Sequence, residues 1–315
     1  MRLGLDIMGG DFAPESAIQG AVLARQELPV DDELVLIGDR TRYREIVEKQ
    51  GYDTTGLRCV HAEQYIGMGE NPVKGFSGKP ESSMRIGLKM LKCEEIDGFA
   101  SAGNTGAMLL GASRIVTAIP GVIRPCITAS IPNEAGSCTI ILDVGLNPDS
   151  RPDVLYQYGI LGSLYAELVY NIKNPKVGLL NIGEEEEKGN LLARATYQIM
   201  KDSGDFEFAG NVEGTDLFSE NKADVVICDG FVGNVVIKEI EGFYKILKSR
   251  KVEDDFFDRF NFENYGGTAI LGILRPVVIG HGVSNGTAIK NMILHTRDVV
   301  QTNLTEKFKT LFKHE

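Results

Sequence analysis

L-G-L-D-I-M-G-G-D, residues 3–11, is the stretch on which the fold turns. Its apolar start reads as a short buried strand. Asp6, Gly9, Gly10 and Asp11 make a small, polar turn, and a helical pattern then runs over residues 14–28, with Pro14 near its first turn. A strand that hands over to a helix through such a turn is the repeating unit of an α/β sheet. Outward from this stretch the same habit recurs. Strand patterns fall at 34–37, 99–101, 126–131, 139–144, 177–180, 225–228 and 277–279. Helical patterns fall at 42–50, 81–93, 105–118, 154–172, 191–202, 232–248 and 287–312. The alternation predicts an α/β chain with an open, largely parallel sheet covered on both faces, with ligands at the carboxyl ends of the strands. No internal repeat or linker interrupts it, so residues 1–315 read as one α/β domain. The least core-like stretch is 248–265.

Hydrophobic residues make up 43% of the 315, enough for a large core, and no stretch approaches the roughly 18 apolar residues of a membrane span. The N-terminal residues enter a strand pattern directly, without the apolar region and cleavage site of a secretory signal, which predicts a cytoplasmic protein. The net charge of −11 argues against a general nucleic-acid binder. Cys59, Cys93, Cys126, Cys138 and Cys228 are scattered, with no C-x-x-C, and read as buried free thiols.

Five glycine-rich polar segments sit where strands should end: residues 6–11, 101–107, 181–190, 229–234 and 280–286. Small residues there let backbone N–H groups approach a ligand, and the following helix start adds unpaired donors and partial positive charge. One such segment alone more often makes only a tight turn; five together, interleaved with Asn, Ser, Thr, Lys and His, point to an anion site. None matches a P-loop, a dinucleotide fingerprint, a nucleophile elbow or H-E-x-x-H, which weighs against NTPase, hydrolase and metalloprotease chemistry. Lys188 precedes a helix, where a cation opposes the dipole, so it is read as serving a bound anion. His281 emerges at a strand end between two glycines.

The ordered set of segments resembles the phosphate acyltransferase (acyl-carrier-protein:phosphate transacylase) family of bacterial phospholipid synthesis. The matching stretches are D-I-M-G-G-D (6–11), N-P-V-K (71–74), S-S-M-R (82–85), S-A-G-N-T-G-A (101–107), L-D-V-G (142–145), N-I-G-E-x-x-x-K-G-N (181–190), N-V-E-G (211–214) and C-D-G-F-V-G-N (228–234). They span nearly the whole chain. The late family motif K-x-H-G-S-S-D is altered: the segment around His281, Gly282 and Ser284 lacks the lysine and carries Asn285 in place of Asp.

The resemblance implies a three-layer α/β/α sandwich similar to phosphotransacetylases and isopropylmalate-type dehydrogenases. It also implies a homodimer, and transfer of a long-chain acyl group from acyl carrier protein to inorganic phosphate with no metal or organic cofactor. The acyl phosphate would feed a membrane glycerol-3-phosphate acyltransferase. Phosphate is already anionic, so it needs positioning, and the thioester oxyanion needs fixed donors. On this reading Gly103, Asn104, Thr105 and Gly106, with Ser284 and Asn285, bind phosphate. Lys188, His281 and Asn104 are catalytic, His281 either hydrogen-bonding the carbonyl or protonating the leaving thiolate. Asp6, Gly9, Gly10, Asp11, Asn181, Asp229 and Asn234 line the site. Three rivals remain: an NAD- and metal-dependent dehydrogenase using Asp6, Asp11, Asp143 and Asp229, a coenzyme A phosphotransacetylase, and a non-catalytic partner of the carrier protein.

Lys245, Lys248, Arg250 and Lys251 form the densest basic cluster and are the expected dock for an acidic carrier protein. Val252, Phe256 and Phe260 would share a helical face, so the segment about 235–265 is expected to meet a dimer partner or, transiently, a membrane.

Overall fold

Strand β1 (Arg2–Asp6) and helix α1 (Glu15–Glu27) realise the opening pattern. In chain order they are followed by β2 (Glu33–Gly38), α2 (Arg40–Gln50), β3 (Leu57–His61), α3 (Pro72–Gly78), α4 (Ser83–Lys92), β4 (Gly98–Ser101) and α5 (Thr105–Gly111). Next come β5 (Cys126–Pro132), β6 (Cys138–Leu142), α6 (Pro152–Val169), β7 (Lys176–Leu180), α7 (Leu191–Lys201), β8 (Glu207–Val212), β9 (Val225–Ile227), α8 (Gly230–Ser249) and α9 (Asp255–Asp258). The chain closes with β10 (Gly267–Leu271), β11 (Val277–Gly280), α10 (Gly286–Gln301) and α11 (Leu304–Leu311). The computed structural model describes residues 1–312.

Where the pattern reads as one domain, the contacts divide the chain into two units: residues 1–118 with 262–305, and 119–261 with the described residues from 306. Both use the same strand–helix alternation, so periodicity carries no mark of the boundary.

In the first unit the strands run β3-β2-β1-β4-β11-β10, parallel except for β10 against β11. Alternate residues serve opposite faces, as a pleat requires. Leu34 and Leu36 join Leu5, Ile18 and Ile289 under α1 and α10. Val35, Ile37 and Phe99 join Met84, Leu88 and Met108 under α4 and α5. From β1 the chain moves outward through β2 and β3, then returns to place β4 on the other side of β1. That makes the β1/β4 boundary a topological switch point, the place where ligands bind in open α/β sheets.

In the second unit the order is β5-β6-β9-β7-β8, with only β5 and β6 antiparallel. Apolar residues of α8 (Val236, Ile237, Ile240) pack against the core cluster that includes Ile141 and Val226.

Three helical expectations and one about the cysteines are corrected. The single terminal helix over 287–312 is two helices, broken where Asn303 takes a left-handed φ of 51°. The helix over 105–118 stops at Gly111 and continues as a wider π turn, Ala112–Val116. Only Asp255–Asp258 of the stretch 252–260 is helical, because Asp254 caps it by accepting from the N–H groups of Phe256 and Phe257, which leaves Val252 outside the turn. Cys93 is exposed and Cys59 half-buried; Cys126, Cys138 and Cys228 are buried.

Phe99 is fully buried at the heart of the first unit's core. Phe99→Ala is expected to lower the unfolding free energy by about 3–5 kcal/mol, because the neighbouring rings and methyls cannot collapse into the space. A shift of the urea midpoint with unchanged slope checks it.

Candidate active site

Three loops meet at the switch point. Ser101, at the end of β4, donates its hydroxyl to Asp6 at the end of β1 (2.8 Å) and accepts from the N–H of Gly103 (3.0 Å). The other Asp6 oxygen accepts from the Met8 N–H at 3.0 Å. Burial pushes the Asp6 carboxyl above its usual range, against the opposing pull of these hydrogen bonds. Gly9 lies so close to the second loop that a Cβ on it would stand 2.6 Å from the Gly103 nitrogen. The third loop joins through the Asp11 N–H, which donates to the Gly282 carbonyl at 2.8 Å. Asp6, Gly9, Gly10, Asp11, Gly103 and Gly282 are thus brought together.

The Asn104 side chain is engaged from both ends. Its Oδ1 caps α5 by accepting from the Ala107 N–H (3.0 Å), while Nδ2 donates to the carbonyls of Gly67 (3.3 Å), Met68 (3.0 Å) and Glu70 (2.9 Å). It fastens the 67–70 loop beside the Gly103 turn. Thr105 is exposed, and Gly106 leaves room for Pro72, the first residue of α3. At the third loop His281 is half-buried and packs on Phe262, ring centroids 4.9 Å apart. The Val283 N–H makes a long 3.5 Å contact to its Nδ1. The buried Ser284 hydroxyl donates to the His281 carbonyl at 2.6 Å. Asn285 caps α10 through the Ala288 N–H (2.9 Å) and donates to Glu263 (2.8 Å).

The remaining site residues belong to the second unit. Asn181 closes its loop onto itself, accepting from the Ile182 N–H at 2.9 Å and donating to the Lys188 carbonyl at 3.2 Å. Gly189 takes a φ of +88°, and a Cβ there would meet the Asn181 amide, so the loop needs glycine twice over. Asn190 caps α7 and Asp229 caps α8. Asn234 donates to the Val144 carbonyl at 3.3 Å. Asn181, Asn190 and Asp229 line a cavity of about 300 Å³ at the ends of β7 and β9, with Leu179, Val232 and the buried Cys228 among its apolar walls. Lys188 is exposed and reaches toward Glu185 at 3.9 Å.

Sequence reasoning overlooked groups that hold these loops: the carbonyls of 67–70, Glu263 and Phe262; Ser101 stood in the 101–107 segment without a role of its own. The N-P-V-K and S-S-M-R stretches carried a trace of them. Asn71 caps α3, and Arg85 donates to the Phe76 carbonyl at 2.7 Å while lying over its ring. Among the described residues, no three of His, Cys, Asp and Glu are grouped so as to hold a metal ion. Asp143 accepts instead from the N–H groups of Ile127 (2.9 Å), Leu146 (3.3 Å) and Asn147 (2.6 Å).

The fold is that of the phosphotransacetylases. The phosphotransacetylase of Streptococcus pyogenes matches it with a TM-score of 0.70 over 96% of this chain and 94% of that one, at 17% identity. Residues 1–256 match the family described as "Fatty acid synthesis protein". The chain is 37% identical over 326 residues to the phosphate acyltransferase of Dictyoglomus turgidum, covering 98% of this chain and 96% of the relative. It is 39% identical over 323 residues to that of Desulforudis audaxviator, covering 96% and 94%. The chain belongs to the phosphate acyltransferase family.

The raised carboxyl of Asp6 has a measurable consequence. The folded protein holds this proton to higher pH than the unfolded chain, so the group favours folding below the unfolded pKa of about 4. That contribution is lost as pH rises through the folded value. The stability of wild type relative to Asp6→Asn should therefore fall from pH 4 to pH 7 in paired urea titrations. A flat difference would show that Asp6 is not held above its ordinary range.

Proposed function

We propose that this protein is an acyltransferase that moves a long-chain fatty acyl group from acyl carrier protein to inorganic phosphate. The product, an acyl phosphate, then serves phosphatidic acid synthesis. The observation that carries this reading is the similarity to phosphate acyltransferases along almost the entire chain. The dehydrogenase alternative is not favoured. Two of the aspartates it would recruit are committed elsewhere, Asp143 to backbone N–H groups and Asp229 to the start of α8.

The Gly103–Gly106 turn is the candidate seat for phosphate, supported by its place at the switch point and the helix that starts beyond it. Asn104 acts there as a positioning residue, since its amide is engaged with the 67–70 loop and the α5 cap. Lys188 is a candidate anion-binding cation, exposed and 3.9 Å from Glu185. Ser284 and Asn285 shape the third loop through their own hydrogen bonds. His281, its ring packed on Phe262, is the candidate group that hydrogen-bonds the developing oxyanion or protonates the departing thiolate. No covalent acyl-enzyme is needed: phosphate oxygen attacks the thioester carbon, and the carrier leaves as its thiol.

The carrier protein's proposed dock is the basic end of α8. Lys245, Lys248, Arg250 and Lys251 are exposed, and Lys248 is partly neutralised by Asp258 at 3.0 Å. Among the described residues, no helix is long and apolar enough to cross a membrane. Dimerisation, and a transient contact with a membrane carrying the next acyltransferase, belong to the same proposal.

Incubation with palmitoyl-carrier protein, with and without phosphate, tests it by following free thiol and acyl phosphate together. Thiol release that does not depend on phosphate would overturn the reading. Lys188→Ala should lower kcat/KM roughly 10- to 100-fold, the worth of one charged hydrogen bond to an anion, with an unchanged circular dichroism spectrum. Charge reversal at Lys245 and Arg250 should raise the KM for the carrier several-fold at low salt and little at high salt, as screened attraction dictates.

A further inference from the structure

The cavity of about 300 Å³ beside Asn181 and Asp229 also sits at a switch point. From β7 the chain runs outward to β8 and then returns on the other side of β7 as β9, so β7 lies parallel between the two. Ligands of open α/β sheets bind at such a place, beyond the carboxyl ends of the strands. Leu155, Leu179, Leu192 and Val232 give the cavity apolar walls, and Ile182, 78% exposed, carries that surface out to solvent. Among the described residues that line it, none is lysine, arginine or histidine.

The polar groups of the lining choose the occupant. Asn181 is spent on its own loop, through the Ile182 N–H and the Lys188 carbonyl. Asn190 and Asp229 are only half used. The Asn190 Oδ1 caps α7 through the Ala193 N–H (2.8 Å), and its Nδ2 donates to no described residue. The Asp229 Oδ1 accepts from the N–H groups of Phe231 and Val232, each at 2.9 Å, and its Oδ2 accepts from no described residue. With no cation in the lining, the free carboxylate oxygen repels an anion, so phosphate is poorly matched to this cavity. A bare hydrocarbon chain is poorly matched too, because it would cover a charged acceptor and an amide donor without pairing either. An uncharged, flexible group fits: methylenes for the leucines, an amide N–H for Asp229 and an amide carbonyl for Asn190. The pantetheine arm that carries an acyl thioester has that composition, two amides joined by methylenes.

Resting on the function proposed above, we infer that this cavity receives the pantetheine arm of the acyl donor, with Asp229 accepting from an arm N–H and Asn190 donating to an arm carbonyl. The two side chains then select donors by the arm, independently of the acyl group it carries.

The test uses the full chain with two donors that share an acyl group: decanoyl-pantetheine, and the decanoyl thioester of 2-mercaptoethanol, which has no amide. Wild type should prefer the first by roughly tenfold or more in kcat/KM, the worth of a hydrogen bond to a charged acceptor. Asp229→Asn keeps an Oδ1 to cap α8 but replaces the free acceptor by a donor, and should lower that preference at least fivefold. The ratio of the two donors is the readout, so general damage to the site cancels. No preference in wild type, or an unchanged ratio in the variant, would overturn the inference. Should Asp229→Asn fail to fold, Asn190→Asp keeps the α7 cap, withdraws the N–H offered to the arm carbonyl, and should lower the same ratio; an unchanged ratio there would also overturn it. Methyl NMR supplies a readout independent of turnover. Pantetheine alone should shift the Leu192 and Val232 methyl signals of wild type, and inorganic phosphate at the same concentration should not. No shift with pantetheine, or the same shift with phosphate, would overturn the inference. If wild type passed the acyl group of neither donor to phosphate, the proposed function would fail, and the methyl signals would still decide the cavity.

Discussion

The buried hydrogen bond from Ser101 to Asp6 organises the first unit's candidate site. It joins the ends of two neighbouring parallel strands at the point where the chain reverses its direction of travel across the sheet. A carboxylate without exposure to water must have its oxygens satisfied. Here Ser101 and the Met8 N–H do so, and the Ser101 oxygen in turn holds the Gly103 N–H. The two loops then approach to a separation that only glycine tolerates at Gly9. Thr105, on the turn just beyond, is exposed.

A second constraint explains why so many polar residues gather at strand ends. Each helix that follows a strand leaves its first N–H groups without partners, and a short Asn or Asp side chain supplies the acceptor. Asn104, Asn190, Asp229 and Asn285 all do this. The residue types that cap a helix are also those that bind phosphate, and they occupy the same place in the fold. Asn104 shows the overlap most clearly: its Oδ1 caps α5 while its Nδ2 pulls the 67–70 loop against the turn. A residue can shape a site without touching what binds there.

The second unit combines a polar loop with an apolar helix face. Asn181 and Gly189 close the loop before α7, whereas α8 presents valine, isoleucine, phenylalanine and leucine along one side. The cavity beside Asn181 and Asp229 has a polar lip, and the larger, apolar cavity lies along the same helix.

The alternation of short apolar strands, glycine turns and helical patterns determined the α/β class, the largely parallel sheet and the location of the candidate site at strand ends. It could do so because these are local properties, set by side-chain period and by the backbone freedom of glycine. The ordered motifs determined the family for the same reason: they are written in consecutive residues. Tertiary structure alone decided which polar side chains are spent on capping, since a free Asn104 and a capping Asn104 have the same neighbours in sequence. It also decided the division into two units, because residues 262–305 return to the first unit across more than a hundred intervening residues. And it turned Phe256, Phe257 and Phe260 toward α8: Asp254 starts α9 after Val252, so the expected continuous stripe with Val252 never forms and the rings gather around a cavity instead.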